Sequence, residues 1–93
     1  MYQLIETSEI LNINTIEGVS IKELENAERK IHTPKYTQET LVSTAFMKHI
    51  VNERNRFSKA TTTTDSEESR IVKVCYFSVA ESVEKVTYTF IKK

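Results

Sequence analysis

Residues 70–93 read Arg70-Ile71-Val72-Lys73-Val74-Cys75-Tyr76-Phe77-Ser78-Val79-Ala80-Glu81-Ser82-Val83-Glu84-Lys85-Val86-Thr87-Tyr88-Thr89-Phe90-Ile91-Lys92-Lys93, and this stretch decides the fold class. Val72, Val74 and Tyr76 alternate with Lys73, Cys75 and Phe77. Beyond a loop around Ala80–Ser82, Val86, Tyr88 and Phe90 alternate with Lys85, Thr87, Thr89 and Ile91. Successive side chains of a strand point to opposite sides, so the pattern predicts an antiparallel hairpin with one strongly apolar face. The same reading puts Ile71, Cys75, Phe77 and Ile91 together on the second face, which is more apolar than a solvated face should be.

Upstream, residues 2–13 read as extended, from Tyr2, Leu4, Ile5, Ile10, Leu11 and Ile13. Leu4 and Ile10 share one phase and Ile5, Leu11 and Ile13 the other, which predicts a bulge near Thr7–Glu9. Asn12, Asn14 and Gly18 mark a turn. Ser20-Ile21-Lys22-Glu23 is a capping box, with Val19 and Leu24 placed as a hydrophobic staple. A first helix follows, with Ile21, Leu24, Ala27 and Ile31 on one face, ending near His32 before Thr33-Pro34. Glu25 and Arg29 stand in the favourable i, i+4 order for a surface pair.

A second helix is expected over residues 38–58, capped by Thr37. Leu41, Val42, Ala45, Phe46, His49, Ile50 and Phe57 form its wide apolar stripe. Arg54, Arg56 and Lys59 place positive charge at its far end, where the helix dipole favours it. Residues 60–69, Ala-Thr-Thr-Thr-Thr-Asp-Ser-Glu-Glu-Ser, are polar and repetitive and read as an exposed loop. The expected order is β-α-α-β-β: an α+β, two-layer domain over residues 1–93, a small antiparallel sheet with two helices packed on one face.

Composition bounds the function. The 93 residues are 39% hydrophobic and 28% charged, which suits one globular domain. Net charge is zero, so bulk charge does not draw the chain to nucleic acid or anionic membrane. Residues 1–28 carry six glutamates against one lysine, a net −5, and the remainder balances at +5. A lone cysteine, Cys75, permits no internal disulfide. The start of the chain has no signal-peptide pattern, and no apolar run reaches membrane-spanning length. These features point to the cytoplasm (the host cytoplasm if phage-encoded), with no membrane partner.

No catalytic constellation is legible. His32, His49 and Cys75 are isolated, without the paired spacing a metal site needs, and no cofactor or small-molecule substrate is expected. His49 lies on the apolar stripe and reads as a core histidine. Cys75, between Val74 and Tyr76 in mid-strand, reads as structural. Glu25, Glu28 and Glu39 occupy polar helix positions, where a solvated charge is the expected state. A single glycine excludes a phosphate-binding loop.

Binding is the remaining class, and the chain reads as a non-enzyme. Protein contact would draw on the acidic first helix, Glu23, Glu25 and Glu28, and on Ile71, Phe77 and Ile91 of the second hairpin face. The first or last strand is an edge open to a partner strand or a second copy, making a homodimer. Nucleic-acid contact would draw on Lys48, Arg54, Arg56 and Lys59, extended by Arg70, Lys73, Lys92 and Lys93, with Tyr76, Phe77, Tyr88 and Phe90 for stacking. The glycine-containing signature of RNA-recognition sheets is missing. In general character (a tiny domain, an acidic helix, no enzyme signature) the chain is similar to short phage or mobile-element proteins, including anti-CRISPR and other anti-defence inhibitors. That similarity implies a protein that binds and blocks or regulates a host macromolecular machine.

Overall fold

The computed structural model describes residues 1–30, 37–53 and 58–93. Among them, seven elements follow in chain order: β1 (Tyr2–Leu11), α1 (Ile21–Glu25), β2 (Thr37–Val42), α2 (Thr44–Asn52), β3 (Ser58–Thr64), β4 (Arg70–Val79) and β5 (Ser82–Lys92). The strands form one antiparallel sheet in the order β2-β1-β5-β4-β3. The α+β class holds, but strands dominate and the β-α-α-β-β order does not.

The C-terminal hairpin forms, with a different turn. Val79 pairs with Ser82, so two residues connect the strands, not three. Side chains alternate with a period of two, and changing a hairpin loop by one residue changes which faces meet. Ile71 therefore lies opposite Phe90 and Val72 opposite Thr89. Ile71, Lys73, Cys75 and Phe77 share a face with Phe90, Tyr88 and Val86. Ile91 joins Val72, Val74 and Tyr76 on the other. Both faces are half apolar, and both are used.

β1 pairs with β5 in unbroken register from Tyr2↔Lys92 to Leu11↔Val83. No bulge interrupts Thr7–Glu9. The phase change seen in the sequence is real and has another cause: the two ends of β1 bury opposite faces. Tyr2 and Leu4 join Met47, Ile71 and Phe90 in one core cluster, with Val42, Ile50, Val51 and Tyr88 against it. Leu11 joins Ile16, Leu24, Tyr76 and Val83 in a second cluster, with Val19 and Ile21 against it. The helices thus lie on opposite faces, at opposite ends of the sheet, α2 over Tyr2 and Phe90 and α1 over Leu11 and Val83. This replaces the expected two-layer arrangement with both helices on one face.

The serine half of the capping box forms, with the Ser20 hydroxyl accepting from the Glu23 amide at 3.2 Å. The helix it starts is only five residues long. Beyond Asn26 the chain turns extended along β1, where Asn12 donates to the Glu28 carbonyl and Lys30 to the Ile10 carbonyl. Arg29 consequently pairs with Glu9 rather than Glu25. Ile31 and His32 lie outside the described residues.

The segment read as one long helix, residues 38–58, divides among its described residues into β2, α2 and the first residue of β3, and Phe57 lies outside the described residues. Thr37, Thr40 and Val42 favour a strand, and β2 takes up hydrogen bonding along β1. Ser43 then caps α2, its hydroxyl accepting from the Phe46 amide at 3.1 Å. The apolar face of α2 is Met47, Ile50 and Val51. Phe46 and His49, both assigned to the core by spacing, are exposed. Residues 58–64, mostly assigned to a polar loop, form β3, because a run of β-branched threonines suits an edge strand whose polar side chains meet water.

Candidate interaction surface

On the face carrying Ile91, α1 packs at the Leu11–Tyr76 end. Toward the other end the register aligns Leu41, Gln3, Ile91 and Arg70 across four strands, with Ile5, Thr89, Val72 and Thr63 in the next row. Ile5, Val72, Thr89 and Ile91 are half-buried, and Leu41 is 64% exposed. Among the described residues no helix lies over this region. The apolar Leu41, Ile5, Ile91 and Val72 are interspersed there with Gln3, Thr89 and Thr63, Gln3 donating to Glu39 at 3.5 Å, and the exposed Glu39 and Arg70 stand at the border.

The opposite face is largely occupied. Lys73, 4% exposed, extends beneath the C-terminus of α2. Its ammonium donates to the carbonyl oxygens of Ile50 at 2.6 Å, Val51 at 3.3 Å and Glu53 at 2.8 Å. The last carbonyls of a helix have no partner within it, and their partial negative charge suits a cation. An open pocket of about 240 Å³ adjoins this contact, lined by Ile50, Glu53, Ala60, Lys73, Cys75, Phe77 and Tyr88. It holds two groups of chemical interest, the Lys73 ammonium and the Cys75 thiol. The ammonium is saturated by carbonyls. Burial pushes the Cys75 thiol up, with Lys73 opposing and Glu53 reinforcing the shift, so the thiol is a poor nucleophile.

The residues singled out in the sequence are dispersed. Glu23, Glu25 and Glu28 are exposed, on and just after α1. Ile71 is 4% exposed, packed in the α2 cluster, which removes it from any contact surface. Phe77 lines the pocket on the α2 face, while Ile91 lies on the open face, so the two belong to different surfaces. Lys48 is exposed on α2. Lys59 is half-buried on the opposite side of the sheet, its ammonium bonded to the Val19 carbonyl. Arg54 and Arg56 lie outside the described residues. Of the possible extensions, Lys73 is buried under α2 and Arg70 is exposed on the open face. Tyr76 and Phe90 are fully buried and unavailable for stacking.

The sequence pointed to Ile91 but not to Leu41, whose strand was hidden within an apparent helix. A signal for Lys73 did exist: a lysine flanked by Ile71 and Cys75 on its own face is a cation in an apolar row, which must find acceptors. No helix among the described residues is long and apolar enough to cross a membrane. Comparison with family models, with curated proteins and with solved structures finds no match.

Proposed function

We propose that this chain is a non-catalytic binding protein that docks a protein partner on the open sheet face and thereby blocks or regulates a macromolecular machine. The observation that supports this reading is the exposed Leu41 at the corner of an array continued by Ile5, Ile91 and Val72. Exposed apolar side chains grouped on one sheet face and bordered by charge are a common mark of protein contact. Nucleic-acid binding draws less support, since Lys48 and Lys59 lie on opposite faces and Lys59 is engaged.

The test compares wild type with Leu41→Lys/Ile91→Lys as bait in cross-linked capture from the native host. Captured protein should be lost with the double variant while circular dichroism stays unchanged. Equal capture by both baits, or none by wild type, would sink the reading. A parallel gel-shift titration across salt decides the alternative: steep salt-dependent binding of nucleic acid would favour phosphate contacts over this surface.

A further inference from the structure

α2 is lightly seated on the sheet. Of its nine residues Met47 alone is buried, Ile50 and Val51 are half-buried, and the rest are exposed. Two open cavities adjoin it, the one of about 240 Å³ beside Lys73 and a second of about 220 Å³ lined by Met47, Val51, Thr64, Glu68 and Ile71 among others. An element with few buried apolar contacts lies at the low end of local stability. One contact is of another kind. The Lys73 ammonium gathers the carbonyls of Ile50, Val51 and Glu53, and so fastens the C-terminal end of α2 to a single point on β4.

We infer that α2 is a flap that opens as a unit while the sheet stays folded, with Lys73 as its latch. The flap lies on the face opposite the proposed docking surface, so the inference goes beyond that reading and does not rest on it.

The floor beneath α2 holds without the helix. β1, β5 and β4 pair with one another along their lengths. α2 lies in the connection between β2 and β3, the two edge strands, so lifting it breaks no hydrogen bond among the three central strands. Tyr2 keeps its edge-on contact with Phe90, ring centroids 6.5 Å apart, and its hydroxyl donates to the Glu68 carbonyl at 3.1 Å. Neither contact involves α2. Opening recovers the conformational entropy of nine residues. Against it stand the hydration of apolar surface around Met47 and the loss of three charge-assisted hydrogen bonds. All three bonds come from one side chain, so one substitution shifts the balance. The outcome is a device that covers or bares an apolar floor of Leu4, Ile71 and Phe90.

Cys75 reports the opening. It is 9% exposed and lines the same cavity as Ile50 and Glu53. Labelling of the whole chain with a thiol reagent, across urea concentrations below the unfolding transition, measures how much surface the labelled opening exposes. The logarithm of the rate should rise with urea at less than about half the equilibrium unfolding slope, because only the flap is lifted. Lys73→Met should speed labelling by about tenfold or more with the same shallow slope. Loss of the cation that favours the thiolate would by itself slow the chemistry, so acceleration reports opening. Ser43→Ala, which removes the exposed N-cap of α2, should speed labelling by about fivefold, and Lys48→Met should leave it unchanged. Amide exchange should give Met47, Ile50 and Val51 one common opening constant, larger than that of the β1 and β5 amides. A labelling slope equal to the equilibrium slope, a rate indifferent to Lys73→Met, or α2 amides that exchange only together with those of β1 and β5 would each overturn the inference.

Discussion

The ammonium of Lys73 lies 2.6 Å from the carbonyl oxygen of Ile50, so a buried cation in mid-strand closes the C-terminus of the helix above it. The contact joins two elements 23 residues apart in sequence. It also explains how a nine-residue helix, too short to be stable alone, is held against the sheet. Replacing Lys73 with Met keeps most of the apolar stem but takes the ammonium from three carbonyls, of which that of Ile50 still accepts from the Glu53 amide at 3.3 Å. Lys73→Met should cost about 2–4 kcal/mol in urea unfolding, whereas Lys48→Met on the exposed side of α2 should stay within about 0.5 kcal/mol. Equal midpoints for the two variants would show that the contact contributes nothing.

Two turns place L-residues in the left-handed region, Glu68 at φ 55° and Ala80 at φ 55°. Ala80 is in the two-residue turn between β4 and β5. Glu68 closes the turn in which Asp65 accepts from the Ser69 amide at 2.8 Å, and its carbonyl accepts from the Tyr2 hydroxyl at 3.1 Å. Glycine relieves the Cβ strain and keeps that backbone acceptor. Ala80→Gly and Glu68→Gly should each stabilise the fold by about 0.5–1 kcal/mol, read as a raised melting temperature. The converse holds at Gly18, φ 72°: nothing lies within 4 Å of an added Cβ, so Gly18→Ala should cost about 1 kcal/mol from backbone strain alone.

Alkaline pH should destabilise the fold in two stages. Burial raises both the Cys75 thiol and the Tyr76 hydroxyl above their ordinary values, the latter reinforced by Glu25 and Glu9 and opposed by Arg29. A raised value means that the folded state keeps its proton longer than the unfolded one. The stabilising contribution is full below the unfolded value and is lost as pH rises through the folded value. Urea midpoints should therefore fall first through the thiol range and again through the phenol range. Cys75→Ala should abolish only the first fall. A midpoint independent of pH across both ranges would contradict the burial of these groups.

Local signals found the C-terminal strands and the Ser20 N-cap because those patterns depend on neighbouring residues. They failed over residues 37–64. There Leu41, Val42, Ala45 and Phe46 mimic a helical stripe, yet the first two are on a strand and the last two on a helix. No short-range feature separates these cases decisively. The strand state is chosen by hydrogen bonding to β1, 30 to 40 residues away from Thr7↔Thr37 to Tyr2↔Val42. The threonines of β3 looked like a loop because an edge strand exposed to water does not need apolar alternation.

The sequence by itself determined that the chain has an antiparallel hairpin at its end, a helix start at Ser20 and an α+β character. Tertiary structure alone decided which strands became edges, which faces the helices covered and where the candidate surfaces lie. The physical reason is that strand register is set across the sheet. With Val79 opposite Ser82, Ile71 is buried under α2 and Ile91 faces the open side beside Leu41. No local propensity records that difference.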